Sequence, residues 1–195
     1  MAFRVGLFWL FIFFALGILL GAGFIIFAST NLPPSAAPSL SPSASTCPAI
    51  TAIFSPGGQD EIVPLIGSAS SSLDVEMYVF SYQLLADELI SAQARGVSVR
   101  VLLEPALSGD NANLKMAETL RDGGVDVRWA DPSRTNHAKF LIIDGKRVLV
   151  GSHNWSWHAM NTNREASVLV EDAATVSEFG RAFEQDWGAA YANNT

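Results

Sequence analysis

Cysteine is almost absent from this chain of 195 residues, in which Cys47 is the single example. One cysteine excludes an intrachain disulfide, and the chain has no Cys pair and no H-E-x-x-H sequence of the kind that binds zinc. Two states remain open for Cys47, a free thiol or a bridge between two copies of the chain. The sequence therefore contains no recognisable metal-binding motif.

Charge is missing from a long N-terminal stretch, because no charged residue occurs between Arg4 and Asp60. Residues 5–28 are dominated by Leu, Ile and Phe. As a helix they would extend ~36 Å, enough to span a hydrocarbon core of ~30 Å. We predict a single-pass transmembrane signal anchor, with residues 1–4 in the cytoplasm and the rest of the chain extracytoplasmic. The alternative is a cleaved signal peptide and a secreted product.

Residues 29–48 are rich in Ser, Pro and Ala, a composition typical of an extended linker. Residues 49–195 then form one domain of ordinary size. Strand-like and helix-like patterns alternate through this domain. We predict strands at 50–54, 73–80, 97–103, 125–129, 138–143, 148–150 and 166–170, and helices at 60–70, 83–95, 112–121 and 173–191. This order predicts an α/β fold with a mixed β-sheet flanked by helices.

Six residues have the spacing H-x-K-x4-D-x6-G-S-x-N, and they are His137, Lys139, Asp144, Gly151, Ser152 and Asn154. Residues two apart on a strand share a face, so His137 and Lys139 should point the same way. Lys139 would offer an ammonium to a phosphate oxygen, and Ser152 and Asn154 would donate hydrogen bonds to the same group. Asp144 belongs to the set of candidate catalytic residues, although its position at a predicted turn favours a structural role.

This spacing resembles the motif of the phospholipase D superfamily of phosphodiesterases. The flanking sequence is similar to the single-motif bacterial endonuclease branch, which includes mitochondrial cardiolipin hydrolase relatives. The resemblance implies that His137 attacks phosphorus, that Glu165 orients its ring, and that neither metal nor cofactor takes part. It also implies a homodimer, because the chemistry needs two histidines and the motif occurs once.

The charge distribution bears on the substrate. The net charge of −7 argues against general nucleic-acid binding, yet residues 128–164 contain six Lys or Arg residues and only two Asp. We predict that Arg134 and Arg164 contact an anionic substrate and that Trp155 stacks on it, with core packing as the alternative for Trp155. The leading hypothesis is a membrane-tethered endonuclease acting on DNA and/or RNA. The alternatives are a phospholipase D-type lipid hydrolase and an inactive binding module.

Overall fold

A computed structural model describes residues 49–107 and 111–192 of this protein, which contain seven strands and five helices. The strands are β1 (Ile50–Phe54), β2 (Ser72–Met77), β3 (Ser98–Leu103), β4 (Asp126–Trp129), β5 (Lys139–Ile143), β6 (Arg147–Gly151) and β7 (Ala166–Val170). The helices are α1 (Gln59–Gly67), α2 (Gln83–Ala94), α3 (Ala112–Asp122), α4 (Trp157–Asn161) and α5 (Ala173–Ala189).

The strands form one mixed sheet in the order β1-β7-β6-β5-β2-β3-β4. Strands β2, β3 and β4 are parallel, while every other neighbouring pair is antiparallel. The parallel strands are joined through α2 and α3, since a parallel connection needs a crossover long enough to hold a helix. The predicted mixed α/β sheet is confirmed.

Helices cover both faces of the sheet, so each central strand buries side chains in two directions. On β5, Leu141 and Ile143 belong to the larger core under α1, α2 and α3. Phe140 and Ile142, in alternation with them, belong to a second core under α5 that includes Phe183 and Trp187. Because side chains alternate along a strand, an apolar run such as this one reads as continuous when both faces are covered.

Several predicted boundaries are wrong by a few residues, most clearly for the second strand, which ends at Met77 rather than at residue 80. Beyond Met77 the backbone is held by a side chain, because Asn113 accepts from the Phe80 N–H and donates to the Tyr78 carbonyl, each at 2.8 Å. The sequence patterns also missed α4, a helix of five residues whose Ser156 hydroxyl accepts from the Ala159 N–H.

In the part of the chain that the structure describes, no helix combines the length and apolar character needed to cross a membrane. The predicted anchor at residues 5–28 and the predicted linker at 29–48 lie outside the described residues.

Gly151, the last residue of β6, lies so close to β7 that a side chain has no room. A Cβ atom built there would come within 2.3 Å of the Ser167 Oγ and 2.4 Å of the Ala166 carbonyl oxygen. The neighbouring strand would have to shift to accommodate even a methyl group.

We therefore predict that Gly151→Ala lowers the free energy of unfolding by about 2 kcal/mol. Gly180→Ala is the matched control, because a Cβ there has none of the described atoms within 4 Å. Removing a glycine from the middle of α5 should instead stabilise the protein by about 0.5–1 kcal/mol. Urea unfolding of the detergent-solubilised chain, followed by tryptophan fluorescence, measures both, and equal effects would contradict the prediction.

Candidate active site

His137 and Lys139 lie side by side where the chain enters β5. The Lys139 Nζ is 3.2 Å from the Nδ1 of His137 and donates to the His137 carbonyl at 3.0 Å. His137 is exposed and Lys139 is half-buried. Burial lowers the pKa of Lys139, while the charge of Glu165 acts in the opposite sense. A histidine ring and an ammonium group thus meet at one exposed point.

The contact with lysine defines the form of the His137 ring in one protomer. A protonated lysine can only donate, so the His137 Nδ1 must accept from it. A neutral ring then has its proton on Nε2. This tautomer leaves no lone pair on Nε2 for attack on phosphorus, since a nucleophilic Nε2 needs an acceptor facing Nδ1.

Tyr78 completes the environment of this pair, and the sequence patterns gave it no role. Its ring centroid is 4.3 Å from that of His137, and the Lys139 Nζ lies 5.1 Å from the Tyr78 ring. The Tyr78 N–H donates to the Ala138 carbonyl at 2.9 Å, which continues the pairing of β2 with β5 one step beyond Met77. Pairing of these two strands was the missing information, since alternation within either strand alone does not reveal it.

Glu165 and Ser152 form a second cluster. The Ser152 hydroxyl donates to one oxygen of Glu165 through a short hydrogen bond, and the Asn163 side chain donates to the other at 3.0 Å. These bonds, together with the charge of Lys139, hold the pKa of Glu165 below its usual value despite partial burial. Among the described residues, Glu165 makes no hydrogen bond to His137. The expectation that it orients this ring is therefore not met within one protomer.

His153 anchors the loop between Ser152 and Asn154. It is buried, and its ring nitrogens contact the hydroxyls of Ser55 at 2.8 Å and Ser167 at 2.7 Å. Burial lowers the pKa of His153, which favours a neutral ring. His153 therefore has a packing role, and nothing in the sequence pointed to its two serine partners, one directly after β1 and one in β7. Asn154 is half-buried, and its Oδ1 has no hydrogen-bond partner among the described residues.

Asp144 lies at the opposite end of β5 from His137 and does not belong to the site. It occupies the tight turn between β5 and β6, where Asp144 and Gly145 have φ values of 54° and 61°. Its carboxylate accepts from three consecutive backbone N–H groups, those of Ser70, Ser71 and Ser72. These bonds hold its pKa far below the usual range. Its inclusion among the catalytic residues is corrected to a structural role, as its turn position had suggested.

Trp155 is buried and therefore not available to a substrate. Its predicted stacking on the substrate is corrected to core packing. It is 2% exposed and packs edge-to-face on Phe80, with ring centroids 5.0 Å apart. Its neighbour Trp157 is 52% exposed.

The two arginines predicted to contact the substrate have partners within the fold. Arg164 is exposed, donates to the Ser55 carbonyl and stacks over the Phe54 ring at 4.7 Å. Arg134 forms an ion pair with Asp186 of α5.

A cavity of about 370 Å³ adjoins His137. Glu76 of β2 lines it and is 3% exposed. Burial, and secondarily the charge of Asp186, raises the pKa of Glu76 to about 7, against smaller effects of Asn136 and Arg134. Alternation along β2 places Glu76 on the face opposite Val75. Only the packing of α5 shows that this second face is buried as well.

The described residues contain no group of three His, Cys, Asp or Glu side chains placed to hold a metal ion.

Comparison with known proteins identifies the family of this chain. The family described as cardiolipin synthase, PLD-like domain, matches residues 62–187, which is more than half of the chain. The chain belongs to this phospholipase D-like family. The matched region includes His137, Lys139, Ser152, Asn154 and Glu165.

Relatives within the phospholipase D-like family carry different names. Mitochondrial cardiolipin hydrolase of Xenopus tropicalis is 36% identical over 126 residues, which cover 63% of this chain and 58% of the relative. Phospholipase D of Rickettsia conorii is 34% identical over 133 residues, covering 66% and 62%. The chain thus spans about three-fifths of these relatives. Nuc from Salmonella typhimurium, a phospholipase D family member of known structure, has the same fold, with a TM-score of 0.70, 22% identity, and coverage of 76% of this chain and 99% of Nuc.

The separation of Asp144 from His137 yields a prediction that distinguishes folding from catalysis. Asp144→Asn should keep the backbone conformation of the turn, since Asn also tolerates positive φ. It should lower the free energy of unfolding at neutral pH by about 1–3 kcal/mol, because the charge-assisted hydrogen bonds are weakened. Turnover by the folded enzyme should stay close to that of the wild type.

The pH dependence has a defined sign. Because the pKa of Asp144 is depressed in the folded state, its stabilisation is present above the unfolded value and declines as the pH falls below about 4. Urea unfolding at several pH values should show the gap between wild type and Asp144→Asn closing in acid. A large loss of turnover with unchanged stability would instead indicate a catalytic role for Asp144.

Proposed function

We propose that this protein is an endonuclease that hydrolyses phosphodiester bonds of DNA and/or RNA without a metal, through a phosphohistidine formed at His137 in a homodimeric site. Its membership of the phospholipase D-like family supports the phosphodiesterase chemistry. The observation that carries the proposal is the 3.2 Å contact between the His137 ring and the Lys139 ammonium beside an open cavity.

The proposed reaction has two displacements at phosphorus. A ring nitrogen of His137 attacks, the P–N bond forms, and the bond to the leaving oxygen breaks. His137 of the partner subunit, in its imidazolium form, donates the proton that this oxygen needs and becomes neutral. Water then attacks phosphorus, the P–N bond breaks, and the water gives a proton to that second histidine, which regenerates both rings. Lys139 holds the negative charge on the non-bridging oxygens throughout.

The state of one protomer supports the need for a second subunit. The His137 ring, with Lys139 at Nδ1, is not prepared for attack through Nε2. Glu165, the acceptor expected to prepare a nucleophile, is bonded to Ser152 and Asn163. In the proposed dimer the two copies of His137 take different roles, one as nucleophile and one as acid.

The character of the cavity favours a nucleic acid over an acyl chain. Only Ala130 and Ala138 among its lining residues are apolar, and the remainder include Glu76, Arg134 and Asn136. Lys139 and Arg164 make no ion pair among the described residues, so both are free to meet phosphates. A polyanion that offers polar groups on both sides of the scissile bond fits such a surface.

A lipid hydrolase is the second candidate. Relatives of this chain are named cardiolipin hydrolase and phospholipase D. Trp157 and Phe54, which are 52% and 49% exposed, offer aromatic surface that could enter a bilayer. For either substrate, we propose that residues 5–28 tether the enzyme to the membrane with its domain on the extracytoplasmic side, a secreted form being the alternative.

We predict that the full-length protein in mild detergent and excess EDTA cleaves single-stranded DNA or RNA, and that His137→Ala reduces the rate at least 1,000-fold, an order expected for loss of a nucleophile. His158→Ala, which removes an exposed histidine outside this cluster, is the matched control and should retain activity. Release of headgroups from phospholipid without cleavage of nucleic acid would replace the nuclease by the lipid hydrolase.

We also predict that His137→Ala subunits inactivate wild-type partners. If every site needs both histidines, co-refolding equal amounts should leave about one quarter of the activity of the same total amount of wild-type dimer, since mixed dimers are inactive. Sites confined to one subunit would leave one half. Light scattering of the detergent-solubilised protein checks that dimers form.

A further inference from the structure

We propose that the cavity beside His137 is a base-binding subsite, in which Glu76 accepts a hydrogen bond from the exocyclic amino group of a nucleobase next to the scissile phosphate. This inference rests on the proposed nuclease function and extends it to base preference.

Glu76 occupies a position where a carboxyl group is costly. It lies on β2, the strand between β3 and β5, opposite Leu102 and Phe140, and it is 3% exposed. Its Oε2 has no hydrogen-bond partner among the described residues. A buried acceptor without a partner costs about 1–3 kcal/mol, so a carboxyl group with a purely structural role would normally be paired.

The surroundings of Glu76 place any ligand next to the reacting groups. The cavity is bounded by α5, through Asp186, and by the segment that carries Arg134, Asn136 and His137. Its volume of about 370 Å³ lies within the range of small-ligand pockets. Glu76 and His137 line the same cavity, so a ligand there lies next to both residues. A nucleotide whose phosphate is at His137 can therefore place its base against Glu76.

The charges of the cavity select the kind of group that it accepts. Glu76, Asp131 and Asp186 contribute carboxyl groups, while Arg134, the guanidinium in the lining, is already paired with Asp186. A second phosphate would be repelled, and a hydrogen-bond donor would be attracted. The raised pKa of Glu76 is compatible with this role, because either protonation state retains an acceptor oxygen.

The bases differ in the donor that such a cavity needs. Adenine and cytosine carry an exocyclic amino group where thymine and uracil carry a carbonyl oxygen, while guanine carries its amino group at a different ring position. Thymine and uracil keep one donor, the ring N3–H, and a contact to it brings the neighbouring carbonyl oxygens against the carboxyl groups of Glu76 and Asp186. Base reading by hydrogen bonds to a displaced base is a known means of selection in enzymes that act on nucleic acids.

The test uses the full-length enzyme in detergent with short single-stranded oligomers of deoxyadenosine, deoxycytidine or thymidine. We expect kcat/KM to be about 5- to 10-fold lower for the thymidine oligomer, the value of one neutral hydrogen bond. Glu76→Gln should reduce this difference, because its amide can donate to a thymine carbonyl. Glu184→Gln is the matched control: it removes a carboxylate from α5 that pairs with Arg100 outside the cavity, and it should keep the preference.

A second measurement needs no variant and so does not depend on the folding of Glu76→Gln. Replacing cytosine by 2-pyrimidinone removes only the amino group, and kcat/KM should fall about 5- to 10-fold. Equal rates on cytosine and 2-pyrimidinone oligomers, or an unchanged preference in a folded Glu76→Gln enzyme, would overturn the base-binding subsite. Those results would contradict the subsite and not the nuclease, whereas failure to cleave any of these oligomers and single-stranded RNA as well would remove the proposed function itself.

Discussion

The antiparallel pairing of β2 with β5 is the constraint on which the candidate site depends. This pairing joins the parallel half of the sheet to its antiparallel half, and its register places Met77 opposite Lys139 and Glu76 opposite Phe140. One further backbone bond, from Tyr78 to Ala138, brings the Tyr78 ring against His137. A slip of one residue would move His137 and Lys139 to the other face of the sheet. The apolar residues of β5, buried in two separate cores, oppose that slip.

The second half of the site depends on close packing between β6 and β7. Gly151 allows the two strands to approach, and the next residue, Ser152, reaches Glu165 and the Ala166 N–H. The buried ring of His153 holds this loop through contacts with the hydroxyls of Ser55 and Ser167. Buried hydrogen bonds hold this loop, so the polar groups that face outward are presented by a rigid support.

Local patterns in the sequence predicted most elements, because apolar alternation and turn residues act over short distances. The hairpin around Asp144-Gly145 is the clearest case, since such a pair strongly favours a tight turn. Strand order was not predictable in this way, because it depends on contacts between distant segments. The same limitation explains the errors at the site. Trp155 was predicted to contact a substrate and is instead buried against Phe80. Glu76 was given no role, because its burial depends on packing of distant segments against β2.

Spacing along the chain does not show at which end of a strand each motif residue lies. His137 and Asp144 are seven positions apart, and a strand between them separates them by roughly 20 Å. Asp144 caps three N–H groups at the far edge of the fold, whereas His137 lies at the reacting edge. One sequence motif therefore combines residues that stabilise the fold with residues of the candidate active site. With His137 and Lys139 in their proposed roles, their loss would end activity and leave the architecture intact, so a descendant with only Asp144 and Gly151 would persist as a folded protein. Recognition of the aspartate and glycine in such a chain would identify ancestry without indicating catalysis.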